Sequence, residues 1–256
     1  MNLALLWSFT RQELVDRYAG SALGFGWAFI QPLVTLFIFV VIFGQIMSAR
    51  LPAVNNVYGY SAYLISGMLP WLAFAGTLGR SSTVFVDKAG MLSKVKLSLP
   101  TLPVFIVLAE SITFVIGFLL FQLFLLFTDI NPKPAVLVLP WVFVLQQMLA
   151  LGLGLIFAVL NVFLRDVREF VSVLVQLWFW LTPIVWAPQA VPAGLLDVLA
   201  VLNPMLPITN AYHAMFIPGM EIDYGKLQLT TLVTSLIVGL AYILVRRLER
   251  DVRDFL

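Results

Sequence analysis

An all-α integral membrane fold of six transmembrane helices is what this sequence predicts, and three observations predict it. Only 11% of the 256 residues are charged and 61% are hydrophobic, whereas a water-soluble domain carries roughly 25% charged residues. Six stretches approach or exceed the ~20 apolar residues that a helix needs to cross a bilayer. Those stretches do not alternate: FLLFQLFLLF, in the third, is unlike the apolar/polar strands of a membrane barrel. The spans fall at about residues 23–47, 60–79, 102–127, 136–164, 170–186 and 227–245, so a single domain, 1–256, uses nearly every residue. The third and fourth exceed the bilayer and should tilt or protrude.

The N-terminal residues lack a basic n-region and carry Arg11, Glu13, Asp16 and Arg17 before Tyr18, so they do not read as a signal peptide. Residues 3–18 predict an amphipathic helix at the membrane interface. Leu3, Trp7, Leu14 and Tyr18 can share one face, with Gln12, Glu13, Asp16 and Arg17 turned elsewhere and Glu13–Arg17 paired at i,i+4. The alternative is an ordinary polar tail.

Orientation follows from the basic residues in the connections. Twelve of the 15 lie in the N-terminal segment, the loops after spans 2 and 4, and the C-terminal segment; Arg50, Lys133 and Lys226 lie in the others. The first set should be cytoplasmic, with both termini. Residues 81–100 form a long basic loop with a short helix expected around 87–95. Residues 187–226 hold two apolar patches, each too short to span, broken by Pro188, Pro192, Pro204, Pro207 and Pro218. On the outer side they predict a re-entrant hairpin before the last span, a shape tolerated only when packed in protein or lining a cavity. Two helices lying flat on the surface are the alternative.

Chemistry-bearing motifs are absent. There is no cysteine and one histidine, which argues against a metal site. The nearest approach to a phosphate-binding loop, Gly219 to Lys226, has the wrong glycine spacing and no hydroxyl residue. No Ser/His/acid set is visible. Asp197, Glu221 and Asp223 could serve glycan chemistry, but i,i+2 carboxylates do not share a helix face, and solvated loop charges are the simpler reading. Glu110 is the one ionisable group well inside a span. It is either an intramembrane functional site or a carboxylate paired with a basic residue near the interface.

Trp27, Tyr58, Tyr60, Tyr63 and Trp71 cluster in spans 1 and 2 or at their ends. Flat rings suit the C–H faces of sugars, so Trp27, Tyr60, Tyr63 and Trp71 are candidate pathway residues; an interfacial aromatic belt gives the same composition.

Four stretches carry a family resemblance. They are Arg17-Tyr18-Ala19-Gly20-Ser21-Ala22-Leu23-Gly24-Phe25-Gly26-Trp27 with Gln31-Pro32-Leu33; Lys96-Leu97-Ser98-Leu99-Pro100; Asn161 to Val167 (NVFLRDV) with Thr182-Pro183-Ile184; and Asn203-Pro204 with Ala211-Tyr212. In this order the chain resembles the permease subunit of ABC-2-type polysaccharide exporters, which move lipid-linked O-antigen and, in relatives, teichoic acid. It departs from that pattern at Leu99, where an aromatic is usual, and at His213, where an arginine is frequent.

The resemblance implies a non-enzymatic transport subunit in a bacterial inner membrane. It implies a homodimer joined to two copies of a separate P-loop ATPase, which holds the ATP and Mg; no cofactor or metal is expected in this chain, and no nucleic acid. The remaining partners are membrane lipids and a lipid-linked polysaccharide. Arg17 and Tyr18 would meet the lipid diphosphate, since arginine suits phosphate by charge and fork geometry. Asp87, Lys88, Lys94, Lys96, Arg165 and Asp166 would couple to the ATPases. An exporter of drugs or small lipids, or a membrane-embedded glycan-modifying enzyme, are the competing functions.

Overall fold

The computed structural model describes residues 3–46, 58–92, 97–188 and 191–256, and every regular element among them is helical. Helix α1 (Leu3–Arg17) precedes a 3₁₀ turn at Gly24–Gly26, and α2 (Trp27–Ile38) widens into a π-helical stretch, Phe39–Ile46. The order continues with α3 (Gly59–Ser81), the short α4 (Val84–Asp87) and α5 (Ala89–Leu92), α6 (Val104–Leu125), α7 (Leu139–Phe163) and α8 (Val167–Leu181). It ends with α9 (Ala193–Leu202), α10 (Met205–Phe216), α11 (Tyr224–Arg247) and α12 (Glu249–Phe255). Lys94, Lys96 and the end of the first expected span lie outside the described residues.

Among the described residues, five stretches are long and apolar enough to cross a membrane: Gly24–Ile42, Gly59–Ser81, Leu99–Leu125, Pro134–Phe163 and Tyr224–Arg247. They coincide with expected spans 1, 2, 3, 4 and 6. The fifth needs a correction: its helix, α8, stops at Leu181 rather than at Trp186. Pro183 forces the change, because the ring disfavours helical backbone in the residue before it, and Thr182 is extended (φ −105°, ψ 135°). Fifteen residues of helix reach only about 22 Å, yet the segment still runs the length of α3, antiparallel to it. Arg168 and Val171 lie by Gly79 and Arg80, the Trp178 ring meets Phe74 at 5.2 Å, and Val185 and Trp186 reach Tyr60 and Tyr63. The last part of this crossing is non-helical chain.

Helix α3 is the central element. Ala62, Tyr63, Leu64, Ile65, Phe74 and Leu78 on it are all buried, packed by α6, α7, α8 and α10. Some interior polar groups bond across helices: Thr77 donates to Gln147 (2.8 Å), and Gln146 donates to the Pro70 carbonyl (2.9 Å). By contrast α2 buries only Ala28, Pro32 and Leu36, a single i,i+4 stripe. Leu33, Val34 and Phe37 on it are exposed, as are Phe170, Val173, Leu177 and Trp180 on α8.

The hairpin before the last span is re-entrant in form. α9 and α10 meet at 110° across the Asn203-Pro204 break. α9 leaves Val198, Val201 and Leu202 exposed, while α10 is buried along nearly its whole length. Tyr212 packs on Phe114 in mid-α6, and Phe216 packs on Phe121 further along it. The start of α10 therefore lies deepest, which excludes two helices resting flat on the surface. Lys133 ties off its end, donating to the carbonyls of Ile217 (2.6 Å) and Met220 (2.8 Å), where a cation suits the helix dipole.

The basic connections gather at one end of the bundle. Phe163 of α7 meets Phe255 of α12 at 5.1 Å, Arg253 reaches the carbonyls of Leu92 and Leu97, and Arg80 pairs with Glu13. This is the basic end; Lys133 and Lys226 lie toward the far end.

Candidate functional site

At the basic end, α1 is fastened to the bundle by five charged side chains. Glu13 pairs with Arg80 at the foot of α3, and with Lys88 at 3.9 Å. Glu110 of α6 accepts from Arg17 (2.7 Å) and from Arg80 (3.4 Å). Both carboxylates are buried, so each anion depends on these partners. Lys88 also lies 5.8 Å from the centre of the Phe105 ring, a cation–π approach. Three cations face two carboxylates, an excess of one positive charge.

This geometry settles two expectations. Glu13 and Arg17 do not pair along α1: each turns inward to a different helix. The amphipathic face expected of α1 is also rearranged. Leu3 and Trp7 are exposed, whereas Thr10, Glu13 and Leu14 are buried: the side that meets α6 carries the ion pairs together with Leu6 and Phe9, and Phe9 meets the Phe105 ring at 5.9 Å. Of the two readings of Glu110, the structure supports the paired carboxylate. Gly76 makes the pairing possible, since a Cβ there would stand 2.7 Å from the Glu110 carboxyl carbon.

Beside the Arg17–Glu110 pair, α2, α3 and α6 enclose a cleft of about 200 Å³, lined by polar Gln31, Thr35 and Thr113 and by apolar Leu69, Leu72 and Phe114. The buried Nε of Arg17 has no hydrogen-bond partner. Tyr18 is buried with its ring edge-on to Phe25 at 6.4 Å, and its hydroxyl is likewise without a partner.

The aromatic cluster proposed as a pathway is not one surface. Tyr63 and Trp71 are buried within the single chain, and burial inside a protomer only increases when another copy is added. Tyr63 stacks on His213 at 3.8 Å and donates to the carbonyls of Pro183 (3.0 Å) and Trp186 (2.7 Å). Tyr60 donates to Val185 (2.6 Å). Trp71 packs against Phe74 and Phe179. These rings stay inside because the non-helical end of α8 needs its backbone carbonyls satisfied at membrane depth, and the two tyrosine hydroxyls satisfy them. Trp27, at the start of α2, is partly exposed.

His213 completes this arrangement. Nδ1 lies 3.0 Å from the Ser66 hydroxyl and Nε2 lies 2.9 Å from the Pro183 carbonyl. A carbonyl only accepts, so Nε2 carries the proton, and the single Ser66 hydroxyl proton has two acceptors within reach, Nδ1 and the Tyr63 carbonyl at 2.9 Å. Gly67 leaves room for the ring: a Cβ there would come within 2.7 Å of Cε1.

Of the expected coupling residues, Asp87, Arg165 and Asp166 are exposed at the basic end, while Lys88 turns back toward Glu13. Asp87 accepts from Thr83 (2.6 Å). With Arg80 and Arg168 it lines a second cleft, about 450 Å³, between the α3–α4 junction and the start of α8. Sequence reasoning missed Arg80, the residue that bridges both carboxylates. It counts there only as one more loop cation, and its place seven residues before the expected short helix and thirty before Glu110 gives no hint of the contact. Among the described residues no group of three His, Asp or Glu is placed to hold a metal ion.

Residues 4–217 match the family described as ABC-2 type transporter. The chain is 30% identical over 213 residues to the O-antigen export system permease protein RfbA of Myxococcus xanthus, covering 83% of this chain and 80% of that protein. It is 28% identical over 239 residues to the protein of the same name from Klebsiella pneumoniae, covering 93% and 90%. To the polysialic acid transport protein KpsM of Escherichia coli it is 24% identical over 242 residues, covering 90% and 88%. The family match runs from α1 through α10, taking in the clamped helix, the five-charge cluster and the buried hairpin. The chain belongs to the ABC-2 type transporter family of membrane proteins.

Proposed function

We propose that this chain is the membrane subunit of an ATP-driven exporter of lipid-linked polysaccharide, of the O-antigen kind, in a bacterial inner membrane. The observation that carries the reading is likeness along most of the chain to permeases named for O-antigen export and polysialic acid transport. The subunit works as a homodimer with two copies of a separate ATPase that binds nucleotide and Mg. Both termini face the cytoplasm, in keeping with the basic asymmetry of the connections.

The geometry supports a division of labour. The exposed apolar faces of α2 and α8 supply surface for a second copy, and a polymer needs a wider enclosure than six helices give. The lipid diphosphate approaches the cleft at Arg17 and Tyr18, with Trp27 nearby in sequence at the mouth of α2. Asp87, Arg165 and Asp166 stand on the cytoplasmic surface where an ATPase would dock. Lys94 and Lys96 belong to the same loop. The α7–α8 turn is too short to stretch, so a push on it moves both helices.

The test is reconstitution of this chain with its ATPase in proteoliposomes, following ATP-dependent movement of a labelled lipid-linked glycan to the far leaflet. Transport that needs both subunits and ATP is expected. ATP-driven movement of small amphiphiles with none of the glycan would overturn the reading in favour of a drug or lipid exporter.

A further inference from the structure

The Arg17–Glu110 pair is incomplete as an ion pair. A guanidinium and a carboxylate normally match two N–H groups to two oxygens. Here Arg17 and Arg80 both reach a single oxygen, Oε1 of Glu110. The second Arg17 contact is a long one, 3.4 Å from Nη1 to the Thr113 hydroxyl. Its Nε is buried with no partner. A buried donor left unmade is costly, so the guanidinium retains unused capacity for an anion.

The surroundings fit an anion carried on a lipid. The cleft beside the pair is lined by polar Gln31 and Thr35 of α2 and Thr113 of α6, together with apolar Leu69 and Leu72 of α3 and Phe114 of α6. Losing Arg17 would not strand Glu110, because Arg80 stays within reach at 3.4 Å. An exchange of partners therefore avoids the penalty of an unpaired buried charge.

We infer that Glu110 is the resident occupant of an anion site, holding Arg17 in the empty transporter until a lipid-borne diphosphate displaces it. The inference deepens the exporter reading and rests on it. The diphosphate takes the Nη and Nε edge of Arg17, its lipid chain lies along the apolar wall, and the released carboxylate stays with Arg80. Glu110 thereby sets a threshold: anions that cannot outcompete a carboxylate, or bring no lipid chain, do not open the pair. Movement of Arg17 away from α6 would also loosen α1, so loading of the site reaches the helix at the membrane surface.

The experiment titrates farnesyl diphosphate, and inorganic pyrophosphate in parallel, into the transporter with its ATPase in nanodiscs, read by calorimetry. Glu110→Gln should bind farnesyl diphosphate about tenfold more tightly than the wild type, the equivalent of about 1.4 kcal/mol. Arg17→Gln should abolish binding in either background, and pyrophosphate should bind more weakly throughout. If Glu110→Gln fails to assemble, Glu110→Asp serves instead; it keeps the charge, withdraws the carboxylate by one methylene and should shift affinity the same way. Unchanged affinity in the Glu110 variants with binding lost in Arg17→Gln would overturn the occupant role and leave the diphosphate site standing. Binding unaffected by any of these substitutions would overturn both. Equal tightening for pyrophosphate and farnesyl diphosphate would mean a free-phosphate site and refute the lipid-borne ligand.

Discussion

Two parts of the molecule outside the five long spans are fastened to the bundle by opposite kinds of chemistry. At the basic end α1 is held by charge: Glu13 to Arg80 and Lys88, and Glu110 to Arg17 and Arg80. Toward the far end α10 and the tail of α8 are held by neutral hydrogen bonds, from Tyr60, Tyr63 and His213 to the carbonyls of residues 183, 185 and 186. The difference follows from what each clamp must do. An ion pair at the edge of the bundle can trade one anion for another, because any anion of suitable shape competes for the same cation. A hydrogen bond to a backbone carbonyl has no mobile competitor in a dry interior, so it fixes a broken helix permanently.

The comparison can be broken at the charged clamp first, where the largest effect is expected. Glu13→Ala leaves Arg80 and Lys88 with one carboxylate fewer. Removing one partner of a buried pair costs about 3 kcal/mol, to be read as a lower thermal midpoint in nanodiscs and faster proteolysis of α1. A loss below 1 kcal/mol would reduce this clamp to an ordinary surface pair.

The neutral clamp should yield about 2 kcal/mol in His213→Leu, which removes two buried hydrogen-bond contacts at about 1 kcal/mol each, while the Pro183 carbonyl keeps the Tyr63 hydroxyl and the Ser66 hydroxyl keeps the Tyr63 carbonyl. Its loss should not change with salt between low and high ionic strength, whereas the solvent-reached part of the charged clamp is screened. Equal salt dependence in the two variants would erase the distinction.

Tyr60→Phe removes a single hydroxyl from the same region and should cost about 1 kcal/mol. Export per assembled transporter should be unchanged, since the hydroxyl serves the backbone of the α8 tail. A selective loss of export with normal stability would return this ring to the substrate pathway. Smallest in stability is Asp166→Ala, on an exposed turn outside both clamps: a change within about 0.5 kcal/mol, measured together with ATP hydrolysis that continues without export. Normal export in that variant would make the turn a plain corner.

Much of this molecule is written locally. The spans, the hairpin and the gathering of basic residues at one end depend on composition within windows of about 20 residues, and a hydropathy reading recovers them. Even the early end of α8 is carried by Thr182-Pro183, a pair whose backbone restriction is local. Tyr63, Trp71 and Glu110 were legible as unusual residues in membrane spans, but their roles were not.

What the tertiary structure alone decided is which unusual residue meets which. Arg17 and Glu110 stand 93 positions apart, and Ser66 and His213 stand 147 apart. In isolation Glu13 and Arg17 look like partners on one helix turn; in the fold each has a closer opposite charge on another helix. The sequence determined that charges would be scarce and placed near the ends of spans, because lipid excludes them elsewhere. Their pairing was set by how helices pack, and helix packing is governed by distributed contacts between small and apolar side chains, Gly67 and Gly76 among them, which carry no label for the polar groups they bring together.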